Sequence, residues 1–183
     1  MRLARFTVLA LWSALFVVSA PAAEVVIHFD DATVGKPVPA YTNNGVVFTP
    51  AYGSSYSTAI PRVMFFPHLK TDKKGILNAM ANDPIPVKVK FPNGASSVTL
   101  VMWGSGASGT PAKVEAFDKD GKVVDTASLP KIPMRTSPDQ PLPSFEMTVK
   151  ATNIAYVCFS GPRTGEYLAA EEVRFTPLAD PPK

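Results

Sequence analysis

Two groups of side chains have the types and spacing to do chemistry. The first is acidic. Asp30-Asp31 closes the first apolar run beyond residue 22, and Glu171-Glu172 opens the last one. If those two runs lie side by side, four carboxylates converge at one edge, an oxygen-rich setting that suits a hard cation such as Ca2+. The competing reading is that they are solvated strand ends, with Asp31 in a turn. The second group is aromatic. Tyr52, Tyr56, Phe65, Phe66 and His68 fall in one irregular stretch, and Trp103 abuts a glycine-rich run. Flat amphipathic rings displayed on loops suit recognition of a sugar or a peptide, so Tyr52, Tyr56, His68 and Trp103 are the candidate ligand-binding residues. Phe65 and Phe66 read equally well as plugs at one end of a core.

Other motifs fail on context. Gly104-Ser105-Gly106-Ala107-Ser108-Gly109 matches G-x-G-x-x-G letter for letter. A dinucleotide site also needs a helix opening at the last glycines, because the helix N-terminus holds the pyrophosphate. Here Thr110-Pro111 leads directly into a strand-like run, so the stretch is a loop between two strands. G-x-S-x-G is broken by Trp103 before Ser105 and by Thr110 after Ser108. Asp118 and Asp120 before Gly121 resemble a Ca2+ loop, yet alanines 116 and 127 stand at its first and twelfth ligand positions. His28 and His68 with one cysteine make no zinc pattern. Cys158, the sole cysteine, lies in an apolar run and reads as a buried, inert thiol. No nucleophile–base pair can be assembled, which argues against an enzyme.

The ends of the chain bear on its compartment. Arg2 and Arg5 precede an uncharged, mostly apolar run of 13 residues from Phe6 to Val18, followed by the small residues of Ala20-Pro21-Ala22. That is the pattern of a cleavable secretory leader, 1–22, and the core is short for a membrane span. The expectation is a secreted or periplasmic protein without a membrane anchor after cleavage, comprising one domain over 23–177 and a short polar tail over 178–183. Removing Arg2 and Arg5 from the 18 basic residues leaves 16 against 15 acidic ones. A near-neutral chain offers no electrostatic footprint for nucleic acid. With a single thiol the domain has no internal disulfide, so burial must stabilise it.

The elements that would position these residues are strands. Val25, Ile27 and Phe29 alternate with Val26, His28 and Asp30. The same period of two recurs in Val87 to Phe91, Phe145 to Lys150 and Val173 to Phe175. It predicts half-buried strands, with Val87, Val89, Phe91, Phe145, Met147, Val149, Val173 and Phe175 inward and Lys88, Lys90, Glu146 and Lys150 outward. The denser apolar runs Val98 to Trp103 and Ile154 to Phe159 suit central strands. Asn44-Gly45, Pro92-Asn93-Gly94 and Asp118 to Gly121 mark turns, and the five prolines between Leu129 and Pro143 mark an extended surface loop. About ten short strands without a long helix predict an all-β fold, a β-sandwich or barrel.

Taken in order, these signatures form a pattern. They are Phe29-Asp30-Asp31, Asn44 to Phe48, Pro84 to Phe91, Ala116-Phe117-Asp118-Lys119-Asp120-Gly121, and Glu171-Glu172-Val173-Arg174-Phe175. The chain resembles exported bacterial jelly-roll β-sandwich domains of the galactose-binding-like, carbohydrate-binding-module-like type. The resemblance implies a single jelly-roll β-sandwich of antiparallel strands and a structural Ca2+ held by Asp30 or Asp31 with Glu171. Here Glu171-Glu172 stand where such domains carry an aspartate pair. It further implies a non-catalytic module for a glycan or other surface ligand. The alternative is a structural or envelope-interaction protein without a small-molecule site.

Overall fold

The computed structural model describes residues 22–36, 41–51, 62–64, 74–77, 85–105, 111–160 and 167–178. The expected leader up to residue 21, and Tyr52, Tyr56, Phe65, Phe66 and His68, lie outside the described residues. Among the described residues every regular element is a strand. They are β1 (Val25–His28), β2 (Tyr41–Asn43), β3 (Val46–Pro50), β4 (Arg62–Met64), β5 (Gly75–Leu77), β6 (Val87–Ser105), β7 (Ala112–Phe117), β8 (Val123–Leu129), β9 (Phe145–Ser160) and β10 (Tyr167–Pro177). All pair antiparallel. The all-β expectation holds. The strands are not uniformly short, however. β6 has 19 residues and β9 has 16.

Those two strands build both layers of a sandwich. The first half of β6 pairs β3 on one side and the second half of β9 on the other. The second half of β6 pairs β10 and the first half of β9. Between the halves the β6–β9 register shifts near Lys90 to Ser97. Pro92-Asn93-Gly94 therefore forms a bend within one continuous strand, not a turn between two. Gly94 has φ +77° there, and a Cβ would meet the Ile154 carbonyl at 3.1 Å, so only glycine fits without strain. Asn44 and Gly45, both at positive φ, close the β2–β3 hairpin as the sequence suggests.

One layer thus holds β1, β4, β5, β10 and the β6 and β9 halves next to them. The other runs β2-β3-β6-β9-β7-β8. Phe29 beyond β1 meets Phe48 of β3 edge-on at 5.3 Å, and Phe91 meets Phe175 at 4.9 Å, so the layers face each other across one core. All eight side chains expected to point inward are buried. Lys90, Glu146 and Lys150 are exposed. Residues 130–144 contain no regular element, as their prolines require, and Ile132 and Leu142 pin the segment to the body.

Candidate ligand-binding face

The acidic ends come near one another only in part. β1 does pair β10, with His28 opposite Glu172. A register shift between Ala170 and Glu172 marks a β-bulge at Glu171. Glu171 is buried and accepts a hydrogen bond from Ser144 Oγ at 2.8 Å. Alternation with the inward-facing Val173 and Phe175 places Glu172 on the solvent side. It is instead buried, beneath His28 Nδ1 at 3.4 Å and Arg174, which also reaches Glu146 at 3.0 Å. At the exit of β1, Asp31 accepts from the Tyr41 hydroxyl at 3.1 Å. Burial chiefly raises the Tyr41 pKa, with Asp31 adding to it, so the phenol keeps its proton.

Calcium does not fit what stands here. Such an ion takes six to eight oxygens at about 2.3–2.6 Å. The main-chain carbonyls of Asp30 and Ala32 already hold the Lys74 ammonium at 2.6 and 2.9 Å. Among the described residues no three His, Cys, Asp or Glu side chains gather closely enough to hold a metal, so Asp30, Asp31 and Glu171 form no shared cage.

Trp103 is not a displayed ring. Its exposure is 0%, and it packs with Leu142, Ala169 and Met64. Both faces of β6 are covered here, because Met102 fills the main core and the proline-rich segment brings Leu142 over the other side. Tyr52, Tyr56 and His68 lie outside the described residues.

The structure brings other aromatics together, on the outer face of the second layer. Strand register sets Lys90, Tyr156, Phe117 and Val123 in one row across β6, β9, β7 and β8, and Lys88, Cys158, Glu115 and Thr126 in the next. Phe117 and Tyr156 stack with centroids 4.8 Å apart and planes 9° apart. Lys88 Nζ sits 3.9 Å from the centre of the Tyr156 ring. Because β9 lies between β6 and β7, Lys88 and Phe117 approach that ring from opposite sides. Val123 continues the row at 44% exposure. Burial and the neighbouring Cys158 and Asp118 raise the Tyr156 pKa, so its hydroxyl remains a donor. The face carries an apolar strip edged by hydrogen-bonding and cationic groups.

A pocket lies at each end of this face. One, of about 440 Å³, opens at the β6–β9 bend, with Lys90, Lys119, Asn93 and Asn153 around an apolar surface that includes Pro92 and Leu178. The other, of about 430 Å³, lies beside Lys113, Ser128 and Ser160. The stretch of β9 between them, Ile154 to Ser160, spans roughly 20 Å at 3.3 Å per residue. That length suits an oligomer of several ring units.

Sequence reasoning missed Tyr156 and Phe117, although the signal was present. In Lys113 to Phe117, alternation already places Phe117 on the side of Lys113 and Glu115. Ile154 to Phe159 was read as apolar throughout, yet Tyr156 and Cys158 alternate with the buried Val157 and Phe159. Cys158 is accordingly half-buried on this outer face rather than in the core, and burial pushes its thiol pKa up to about 11. Lys88 is likewise half-buried instead of fully exposed, because it lies along the Tyr156 ring.

No protein-family model matches the sequence, and neither does any curated protein sequence. Several solved structures are similar in shape. One is a CBM29-2 mutant complexed with mannohexaose, from a study of family 29 carbohydrate-binding modules, at 14% identity and TM-score 0.48, covering 88% of this chain and 100% of that one. TmCBM61 in complex with β-1,4-galactotriose has 9% identity and TM-score 0.43, covering 73% and 89% respectively. CsCBM6-3 from Clostridium stercorarium, in complex with cellobiose, has 16% identity and TM-score 0.38, covering 79% and 99%.

Proposed function

We propose that this protein is an exported, non-catalytic module that binds a glycan along the outer face of its second layer. The observation that carries the reading is the stacked Phe117–Tyr156 pair beside Lys88, half-exposed on a sheet face with a pocket at each end. Pyranose rings combine apolar C–H patches with hydroxyl rims, and an aromatic strip edged by amides and ammonium groups complements both. Secretion, periplasmic or beyond, is supported by the leader-like pattern of 1–22. A non-catalytic role is supported by the chemistry of the groups at hand. The Cys158 thiol, at about 11, stays protonated, and His28 is engaged by Glu172.

The experiment is a screen of the mature protein against neutral and charged oligosaccharides by glycan array and calorimetry, alongside Tyr156→Ala. Binding that the substitution weakens supports the proposal. Absence of binding to any glycan, or binding that Tyr156→Ala leaves untouched, overturns it.

A further inference from the structure

We infer that the pocket at the β6–β9 bend selects an anionic sugar unit, so that the glycan bound by this face is an acidic one. The inference rests on the glycan-binding reading above and narrows its ligand class. Lys90 of β6 and Lys119 of the β7–β8 hairpin both line the pocket, and no acidic side chain does. Elsewhere on this face the Lys88 ammonium rests on the Tyr156 ring, and other charges are met locally. Lys113 meets Glu115 at 2.9 Å, and the Asp118 carboxylate is turned into its own hairpin, accepting from the amides of Asp120 and Lys122 at 3.0 and 2.9 Å. Lys90 and Lys119 form no ion pair among the described residues, so the pocket keeps two uncompensated positive charges in a chain that is nearly neutral after leader removal.

The rest of the lining fits such a unit. Asn93 and Asn153 offer amide donors at the rim, while Pro92 and Leu178 give an apolar surface for the C–H face of a ring. A carboxylate or sulfate ester on that ring would gain two charge-assisted contacts that a neutral sugar cannot make. The charges sit at an open rim, so their combined effect is about tenfold in affinity and is screened by salt.

The test is calorimetry on the mature protein with a galacturonate oligomer, the neutral galactose oligomer of equal length, and a sulfated oligosaccharide. It is run in about 50 and about 500 mM NaCl, where screening differs strongly. The expected result is about tenfold tighter binding of the acidic oligomer at low salt, with most of that gain lost at high salt. Lys90→Gln with Lys119→Gln should abolish the difference, bringing the acidic and neutral oligomers to the same affinity, whereas Tyr156→Ala should weaken both and keep their ratio. Matching affinity for the sulfated sugar means the pocket reads charge alone, and weaker affinity means it reads the planar carboxylate. Both outcomes support an anionic ligand. Equal binding of acidic and neutral oligomers overturns the inference yet leaves glycan binding standing, as does an acid preference that survives the double substitution. Failure of every oligosaccharide to bind overturns both.

Discussion

Phe117 and Tyr156, on adjacent strands β7 and β9, stack nearly parallel on the outer face of the second layer. Their inward neighbours Ala116 and Val157 are fully buried, so the pair stands on a fixed floor and is held in register by the β7–β9 ladder. A surface assembled this way is ordered before any ligand arrives, which lowers the entropy lost on binding.

Replacing either ring therefore separates binding from folding. Tyr156→Ala or Phe117→Ala should weaken glycan affinity at least about tenfold, the equivalent of 1.4 kcal/mol. The stacking lost from the fold is about 0.5–1.5 kcal/mol. Thr148→Ala, on the outer face of the other layer, should leave affinity unchanged and cost the fold only about 0.2–1 kcal/mol, for its cross-strand hydrogen bond to Thr99. Calorimetry paired with urea unfolding checks both quantities, and a stability loss without an affinity loss would make the pair purely structural.

The core makes a sharper demand on stability. Phe91 is buried against Phe175 at the bend of β6, and Phe91→Ala should cost about 3–5 kcal/mol. Lys150→Ala, exposed on β9, should stay within about 0.5 kcal/mol. Lys88→Ala falls between, at about 0.5–1 kcal/mol, because its ammonium rests over Tyr156. Denaturant midpoints for the three variants test the order, and similar costs at Phe91 and Lys150 would mean a misread register.

The strands and their inward faces were legible because period-two alternation follows directly from the pleat. Val87, Val89 and Phe91 are buried for that reason. The corner at Pro92-Asn93-Gly94 was legible as a backbone break but not as a bend inside one strand, since local turn chemistry does not say whether pairing resumes with the same partner. Trp103 misled because its neighbours in sequence are glycines, while Leu142, which helps cover it, comes from 39 positions away. Glu171 misled because a bulge shifts the alternation at that residue. Tyr156 and Phe117 are 39 positions apart and meet only through the β7–β9 register.

Cys158 gives a pH-dependent test of that face. Burial raises its pKa from 9.0 to about 11, with Lys88 opposing the shift and Glu115 reinforcing it. Thiolate is the reactive form, so alkylation at pH 8 should run about a hundredfold slower in the folded protein than in urea. Because the folded-state pKa lies above the unfolded one, the contribution to stability is intact below pH about 9 and is lost as pH rises through about 11. Alkylation rates and alkaline unfolding curves measure the two effects. Equal rates in folded and unfolded protein would place the thiol in open solvent.

The last prediction concerns the cation at the exit of β1. The Asp30 and Ala32 carbonyls converge on one point, and the positive charge there belongs to Lys74. A lysine ammonium supplies three donors and no acceptor, so two of its protons are used on these oxygens. Lys74→Met keeps most of the aliphatic length and removes the charge, leaving both carbonyls without that partner. The expected cost is about 1–3 kcal/mol, the range for a lost hydrogen bond involving a charged group. The unchanged protein should melt at the same temperature in Ca2+ and in chelator, because its own side chain already fills the cradle. Were Ca2+ to bind in the cradle, a hundredfold excess over Kd would stabilise the fold by about 2.7 kcal/mol, which is several degrees for a domain of this size. Melting curves of the two proteins in both conditions decide the matter. A Ca2+-dependent rise in the unchanged protein would overturn the assignment of Lys74 as the resident cation.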